Sequence, residues 1–176
     1  MLQDAALLII DMQLGAFQAP DPVFDGLGLL QRVHALIGRA RAAGIPVIYL
    51  QHEEPLGGRF AAHSPLWAIH PLIAPSADEL IIPKTTLDAF TNTALDGALQ
   101  ARRIANLLLT GIVTEHSYSA TCQEAVHRGY QVTVVADGHT TYGTSFLPAT
   151  EIIAVYNTYV FAPVAKLRAT NELQFT

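Results

Sequence analysis

Apolar residues run together at 5–10, 45–51, 79–83, 105–110, 131–136 and 158–161, and turn-forming residues bound the runs. The runs are continuous rather than alternating, as in strands covered by helices on both faces, and they predict six strands. Between them the spacing becomes helical. Leu29, Leu30, Val33, Leu36, Ile37 and Ala40 recur at three- and four-residue intervals before Gly44 and Pro46 stop the helix. The same rhythm predicts helices over 92–103, 114–128 and 148–157. Residues 53–75 interrupt it with Pro55, Gly57, Gly58, Pro65, Pro71 and Pro75, predicting a long ordered loop with a short helix, of the kind that is often functional. The predicted architecture is α/β: a three-layer, doubly wound, Rossmann-like sheet of six mainly parallel strands in a single domain over 1–176.

The chain has 176 residues, 51% hydrophobic and 14% charged, enough to bury a sizeable core. No apolar run approaches the roughly 18 residues of a membrane helix, and the N-terminus lacks the pattern of a signal peptide. A cytoplasmic protein without membrane partners is expected. The single cysteine, Cys122, has no partner for an internal disulfide, which suits a reducing compartment. A formal charge of -5, without a basic block, argues against nucleic acid as a partner. The low charged fraction and high apolar content leave much nonpolar surface for one domain, and self-association is expected.

Ligands of open parallel sheets bind outside the carboxyl ends of the strands. Three polar residues stand there: Asp11 after the first run, Lys84 after the third, and Ser117 in the first turn beyond the fourth. Singly they read as a turn cap, a solvated charge and a helix-start hydroxyl. Together they place a carboxylate, an ammonium and a hydroxyl on one edge of the sheet.

At this point the chain resembles the isochorismatase-like (cysteine hydrolase) superfamily. Ala-Leu-Leu-Ile-Ile-Asp-Met-Gln at 6–13 resembles its opening strand and catalytic aspartate. Pro-Lys-Thr at 83–85, followed by Asp88, Ala89, Phe90 and Thr93, resembles its lysine motif. Thr-Gly-Ile-Val-Thr-Glu-His-Ser at 110–117 resembles its nucleophile motif, and residues 129–137 resemble the next strand. Residues 51–60 and 64–71 are most similar to the streptothricin-hydrolase-like branch. The resemblance implies that Asp11 is the acid/base, that Lys84 supports charge beside it, and that position 117 attacks the substrate carbonyl. It also implies a cis peptide at Val113-Thr114 and an oxyanion hole of backbone N–H groups near Val113, Thr114 and Ser117.

Serine stands at 117 where most members of the superfamily carry cysteine. A thiol with a pKa of about 8.5 is readily ionised beside a lysine and a helix N-terminus; a hydroxyl is not. Ser117 therefore needs a base, and an ordinary Asp with a pKa of about 3.9 serves poorly unless burial raises it. Three readings follow. The first is hydrolysis of an amide or lactam C–N bond by Ser117 through an acyl-enzyme. The second, implied for true isochorismatases, is vinyl ether hydrolysis with Asp11 as general acid. The third is a catalytically silent subunit that binds a small ligand or serves assembly.

The resemblance implies a small-molecule substrate and a homo-oligomer, a dimer or larger; no cofactor is expected. The Asp-x-His pair that holds metal in some amidases of the superfamily is incomplete, because Leu50 stands two residues before His52; no metal is expected at His52, His63 and His70. Phe17, Trp67, Phe90 and Tyr118 are candidate pocket walls, and His52, Arg59, Glu115 and His116 candidate ligand contacts.

Overall fold

The structure, a computed structural model, describes residues 4–175. Strand β1 (Ala5–Ile10) is buried along its whole length because it lies between two parallel neighbours, β2 (Val47–His52) and β4 (Asn106–Ile112). With β3 (Leu80–Lys84), β5 (Gln131–Thr140) and β6 (Lys166–Arg168) they form one parallel sheet in the order β3-β2-β1-β4-β5-β6. Successive side chains of β1 point to opposite faces and so seed two cores. Ala5, Leu7 and Ile9 meet Leu29, Val33, Leu36 and Ile37 of helix α1 (Gly26–Ala42). Ala6, Leu8 and Ile10 share the other core with Leu95 and Leu99 of α2 (Leu95–Ala101) and Cys122 and Ala125 of α3 (Ser119–His127). The result is the expected three-layer sheet. Strand order reverses between β1 and β4, which opens the ligand crevice of doubly wound sheets at their carboxyl ends.

Two expectations need correction. The run at 158–161 is not a strand. Helix α4 (Ala149–Val155) continues through it as a π-helical turn, Tyr156–Phe161, and the sixth strand is the three-residue β6 farther on. Phe161 is fully buried whereas Tyr159 is 75% exposed. A single buried position in the turn is the helical pattern, which a short apolar run does not reveal. Nor is burial continuous in every strand: β3 and β6 lie at the sheet edges, and Ile81 is 45% exposed. Pro83, which has no N–H to give, is tolerated at such an edge.

Near the crevice the sheet departs from regular geometry. Between Leu109 and Gly111 the register slips, so that these residues pair with Val134 and His139. The bulge carries β5 beyond its expected end at 136 as far as Thr140. Gly111 has φ +135°, and a Cβ there would lie 2.2 Å from the Ile10 carbonyl oxygen, so only glycine lets β4 approach β1 so closely. Gly111→Ala should therefore cost at least about 4 kcal/mol, the range reached only by severe core faults. Urea denaturation of the purified variant, or failure to recover folded protein, checks this.

Candidate active site

Asp11 is the first residue beyond β1 and adopts φ +53°, an uncommon conformation for a residue with a side chain. Its N–H donates to Leu50 O (2.9 Å) and its carbonyl accepts from Gln13 N (2.8 Å), fixing the turn that follows β1 against the end of β2. Lys84 ends β3, with a side chain wholly removed from solvent. Its ammonium lies 2.8 Å from Asp11 Oδ2 and donates to Ser117 Oγ (3.2 Å), Thr86 O (3.0 Å) and Leu87 O (3.2 Å). A buried ammonium requires this company, since its three N–H groups would otherwise lose their hydration without replacement. Ser117 belongs to a π-helical turn, Thr114–Tyr118, broken by non-helical backbone at His116. Residues from three strand ends thus meet around one ammonium.

Burial raises the pKa of Asp11 above the usual carboxylate value, against the opposing pull of Lys84 and smaller contributions from the Ser117 hydroxyl and His52. Its Oδ1 is buried without a hydrogen-bond partner among the described residues. That oxygen is available to take or deliver a proton. The three groups adjoin a cavity of about 190 Å³, which Asp11 and Ser117 line directly.

Of the other sequence candidates, His52, Val113 and His116 line this cavity. The rest do not. Phe17 packs edge-on against His70 (5.3 Å between ring centroids), Trp67 tilts against His63 (5.2 Å), and Phe90 is a core residue stacked on Tyr130 (5.7 Å). Tyr118 is fully buried, its hydroxyl donating to Leu109 O (2.7 Å). Arg59 donates to the Gly15 carbonyl, and Glu115 accepts from Thr141 Oγ1 (2.7 Å). Thr114 is buried and bonded to His139. The cis peptide lies at Ile112-Val113, one bond earlier than expected. Cys122 is buried, which pushes its thiol up to about 12. Among the described residues no cluster of three or more His, Cys, Asp or Glu is arranged to hold a metal. No described helix is long and apolar enough to cross a membrane.

Sequence reasoning passed over Phe60, Leu87 and Tyr142, which also line the cavity: Phe60 lies in the long loop, Leu87 is an apolar residue just beyond β3, and Tyr142 follows β5 only because that strand runs past its expected end to Thr140. It also passed over Gln13. That side chain donates to His52 O (2.9 Å) and Trp67 O (2.8 Å) and accepts from His52 N (2.9 Å), fastening the long loop over β1 and β2. Its place two residues after Asp11 was the available signal. His139, brought in by the bulge, was also missed.

The sequence profile of the isochorismatase domain matches residues 5–164. A streptothricin hydrolase from Streptomyces noursei is 32% identical over 143 residues, 81% of this chain but 52% of the relative; this chain thus spans about half the length of that protein. A ureidoacrylate amidohydrolase, RutB, from Stutzerimonas stutzeri is 27% identical, covering 90% of this chain and 77% of the relative. The crystal structure of an isochorismatase from Pseudomonas putida KT2440 superposes with a TM-score of 0.93 at 29% identity, covering 98% of this chain and 91% of the other. A cysteine hydrolase from Pseudomonas syringae pv. phaseolicola 1448A gives 0.90 at 25% identity, with the same coverage.

Two stability predictions follow from these burials. Lys84→Met should cost about 3 kcal/mol or more at pH 7, because it strands the Asp11 carboxylate. The deficit relative to the parent should shrink as pH falls and Asp11 protonates, as read from urea midpoints at pH 7 and 5. For His139, burial lowers the pKa from 6.5 to about 4 despite the opposing hydrogen bond with Asn157 and the charge of Asp137. The unfolded chain then binds the proton first, so stability is lost as pH falls from about 6.5 towards 4. His139→Gln should remove about 2 kcal/mol of the parent's loss between pH 7 and 5.

Proposed function

The chain belongs to the isochorismatase family of hydrolases, and from that premise we propose that it cleaves the C–N bond of a small amide or lactam, with Ser117 as nucleophile. The observation that carries this reading is the shared buried ammonium: Lys84 holds both the Asp11 carboxylate and the Ser117 hydroxyl beside one small cavity. Asp11, made more basic by burial, takes the Ser117 proton as Oγ attacks the carbonyl carbon. The Lys84 ammonium stabilises charge developing on Oγ. Backbone N–H groups of Val113, Thr114 and Ser117 receive the oxyanion. As the tetrahedral intermediate collapses, Asp11 returns the proton to the departing nitrogen, leaving an acyl-serine and a neutral amine. Asp11 then deprotonates a water that attacks the ester, and the proton passes back to Ser117 Oγ as the acid is released.

Vinyl ether hydrolysis of a dicarboxylate fits less well. Such a substrate calls for several free cationic contacts. Lys84 is matched by Asp11, Arg59 is bonded to the Gly15 carbonyl, and no Lys or Arg side chain lines the cavity among the described residues. Similarity to an amidohydrolase supports the C–N reading. We further place the enzyme in the cytoplasm as a homo-oligomer, a reading supported by the single unbridged Cys122 and by exposed Phe146 and Tyr159, 92% and 75% accessible.

The test is hydrolysis of a panel of small amides, lactams and isochorismate by the parent, Ser117→Cys, Ser117→Ala and Asp11→Asn proteins. Ser117→Ala and Asp11→Asn should each lower amide kcat by about 10³-fold or more, and Ser117→Cys should restore or raise turnover. Amide turnover indifferent to residue 117, or isochorismate as the only substrate consumed, would reject the serine mechanism.

A further inference from the structure

Behind the turn that carries Ser117 lies a chain of hydrogen bonds, part-buried at Asn157 and fully buried at Thr114, whose direction can be read from one end. Asn157 Nδ2 donates to Ala136 O (3.0 Å), which identifies the other amide atom as the acceptor Oδ1. Oδ1 lies 2.9 Å from His139 Nε2, so that nitrogen carries the hydrogen. In the neutral ring Nδ1 is then an acceptor, and it lies 2.9 Å from Thr114 Oγ1, whose hydroxyl must donate. The ring has little freedom to turn: Tyr118 packs against it at 4.7 Å and Phe161 edge-on at 5.5 Å. Thr114 and His139 are 0% and 2% exposed, so an unmade bond has no water to replace it.

The position of this chain matters as much as its direction. Thr114 opens the turn that carries Ser117, and follows directly on Val113, which lines the cavity. His139 belongs to another strand and reaches Thr114 only because the bulge pairs it with Gly111. From these placements we infer that His139 is a positioning residue, holding Thr114 so that the turn keeps Ser117 Oγ within reach of the Lys84 ammonium and its backbone N–H groups aimed into the cavity. This inference deepens the serine mechanism and rests on position 117 being the reacting one. It does not require that the natural substrate be known.

The anchoring has consequences separable from simple folding. Nitrogen-15 NMR of His139 at pH 7 should report the neutral Nε2–H tautomer, and Thr114→Val should move the Nδ1 resonance. In the Ser117→Cys protein the introduced thiol reports its own distance from Lys84, because a nearby ammonium favours the thiolate. The probe is iodoacetamide at pH 7 with mass-spectrometric mapping; buried Cys122 provides the background. His139→Phe and Thr114→Val should each slow alkylation about tenfold, the effect of a one-unit rise in the thiol's pKa. The double variant should be no slower than either single one, and Thr114→Ser should retain the parent rate. Thr114→Val is nearly isosteric and keeps the comparison available if His139→Phe does not fold. Parent-like alkylation in folded His139→Phe or Thr114→Val, an Nδ1–H tautomer, or a His139 signal indifferent to Thr114→Val would overturn the proposal. A Ser117 protein that hydrolyses no amide while these readouts come out as expected would instead remove the proposed reaction and leave the anchoring intact.

Discussion

The site depends on one solvation problem, the burial of the Lys84 ammonium. β3 is an edge strand, yet its last side chain turns inward and loses all contact with solvent. An ammonium removed from water is tolerated only where oxygen atoms replace its hydration shell, and here they come from Asp11, Ser117 and the carbonyls of Thr86 and Leu87. The same requirement draws the ends of β1, β3 and the turn after β4 together. It also gives the site its electrostatic character. A carboxylate beside one cation, but otherwise desolvated, retains raised basicity, and the Ser117 hydroxyl accepts a hydrogen bond from the same cation.

A second constraint is the close approach of β4 to β1. Gly111 permits it, and the slipped register of β5 accommodates it by pairing His139 and Thr140 with Gly111 and Ile112. Gly138 lies within the slipped segment, where a Cβ would fall 2.7 Å from Val135 Cβ. The bulge therefore does more than lengthen a strand. It delivers His139 to Thr114 and, just beyond, Thr141 to Glu115, so the turn that carries Ser117 is supported from β5 as well as from its own helix. On the opposite side Gln13 ties the long loop to β2, bringing Phe60 over the cavity beside His52.

Much of this was legible in the chain. Continuous apolar runs located the first five strands, in β1, β2 and β4 because buried parallel strands leave little room for polar alternation, and the helical spacing from Leu29 to Ala40 marked the face that α1 buries. Asp11, Lys84 and Ser117 were visible as chemistry placed after strands. The run at 158–161 was misread because a four-residue, mainly apolar run fits either a strand or the end of a helix, and the choice rests on which of its residues the core accepts. Phe90 and Tyr118 were adjacent in sequence to the lysine and nucleophile motifs, but neighbouring residues in a turn point in different directions, and both rings went to the core.

The sequence by itself determined the α/β class, the helix and strand rhythm and the three polar strand ends, because these follow from local periodicity and from the rule that ligands meet parallel sheets at their carboxyl edge. Tertiary structure alone decided the rest: that the three strand ends converge on a buried ammonium, that Leu87, Phe60 and Tyr142 wall the cavity, and that His139 reaches Thr114. These contacts join residues far apart in the chain through a bulge, a loop closure and an edge strand turned inward. Their geometry is set by packing and by the satisfaction of buried polar groups, neither of which leaves a periodic trace in the order of amino acids.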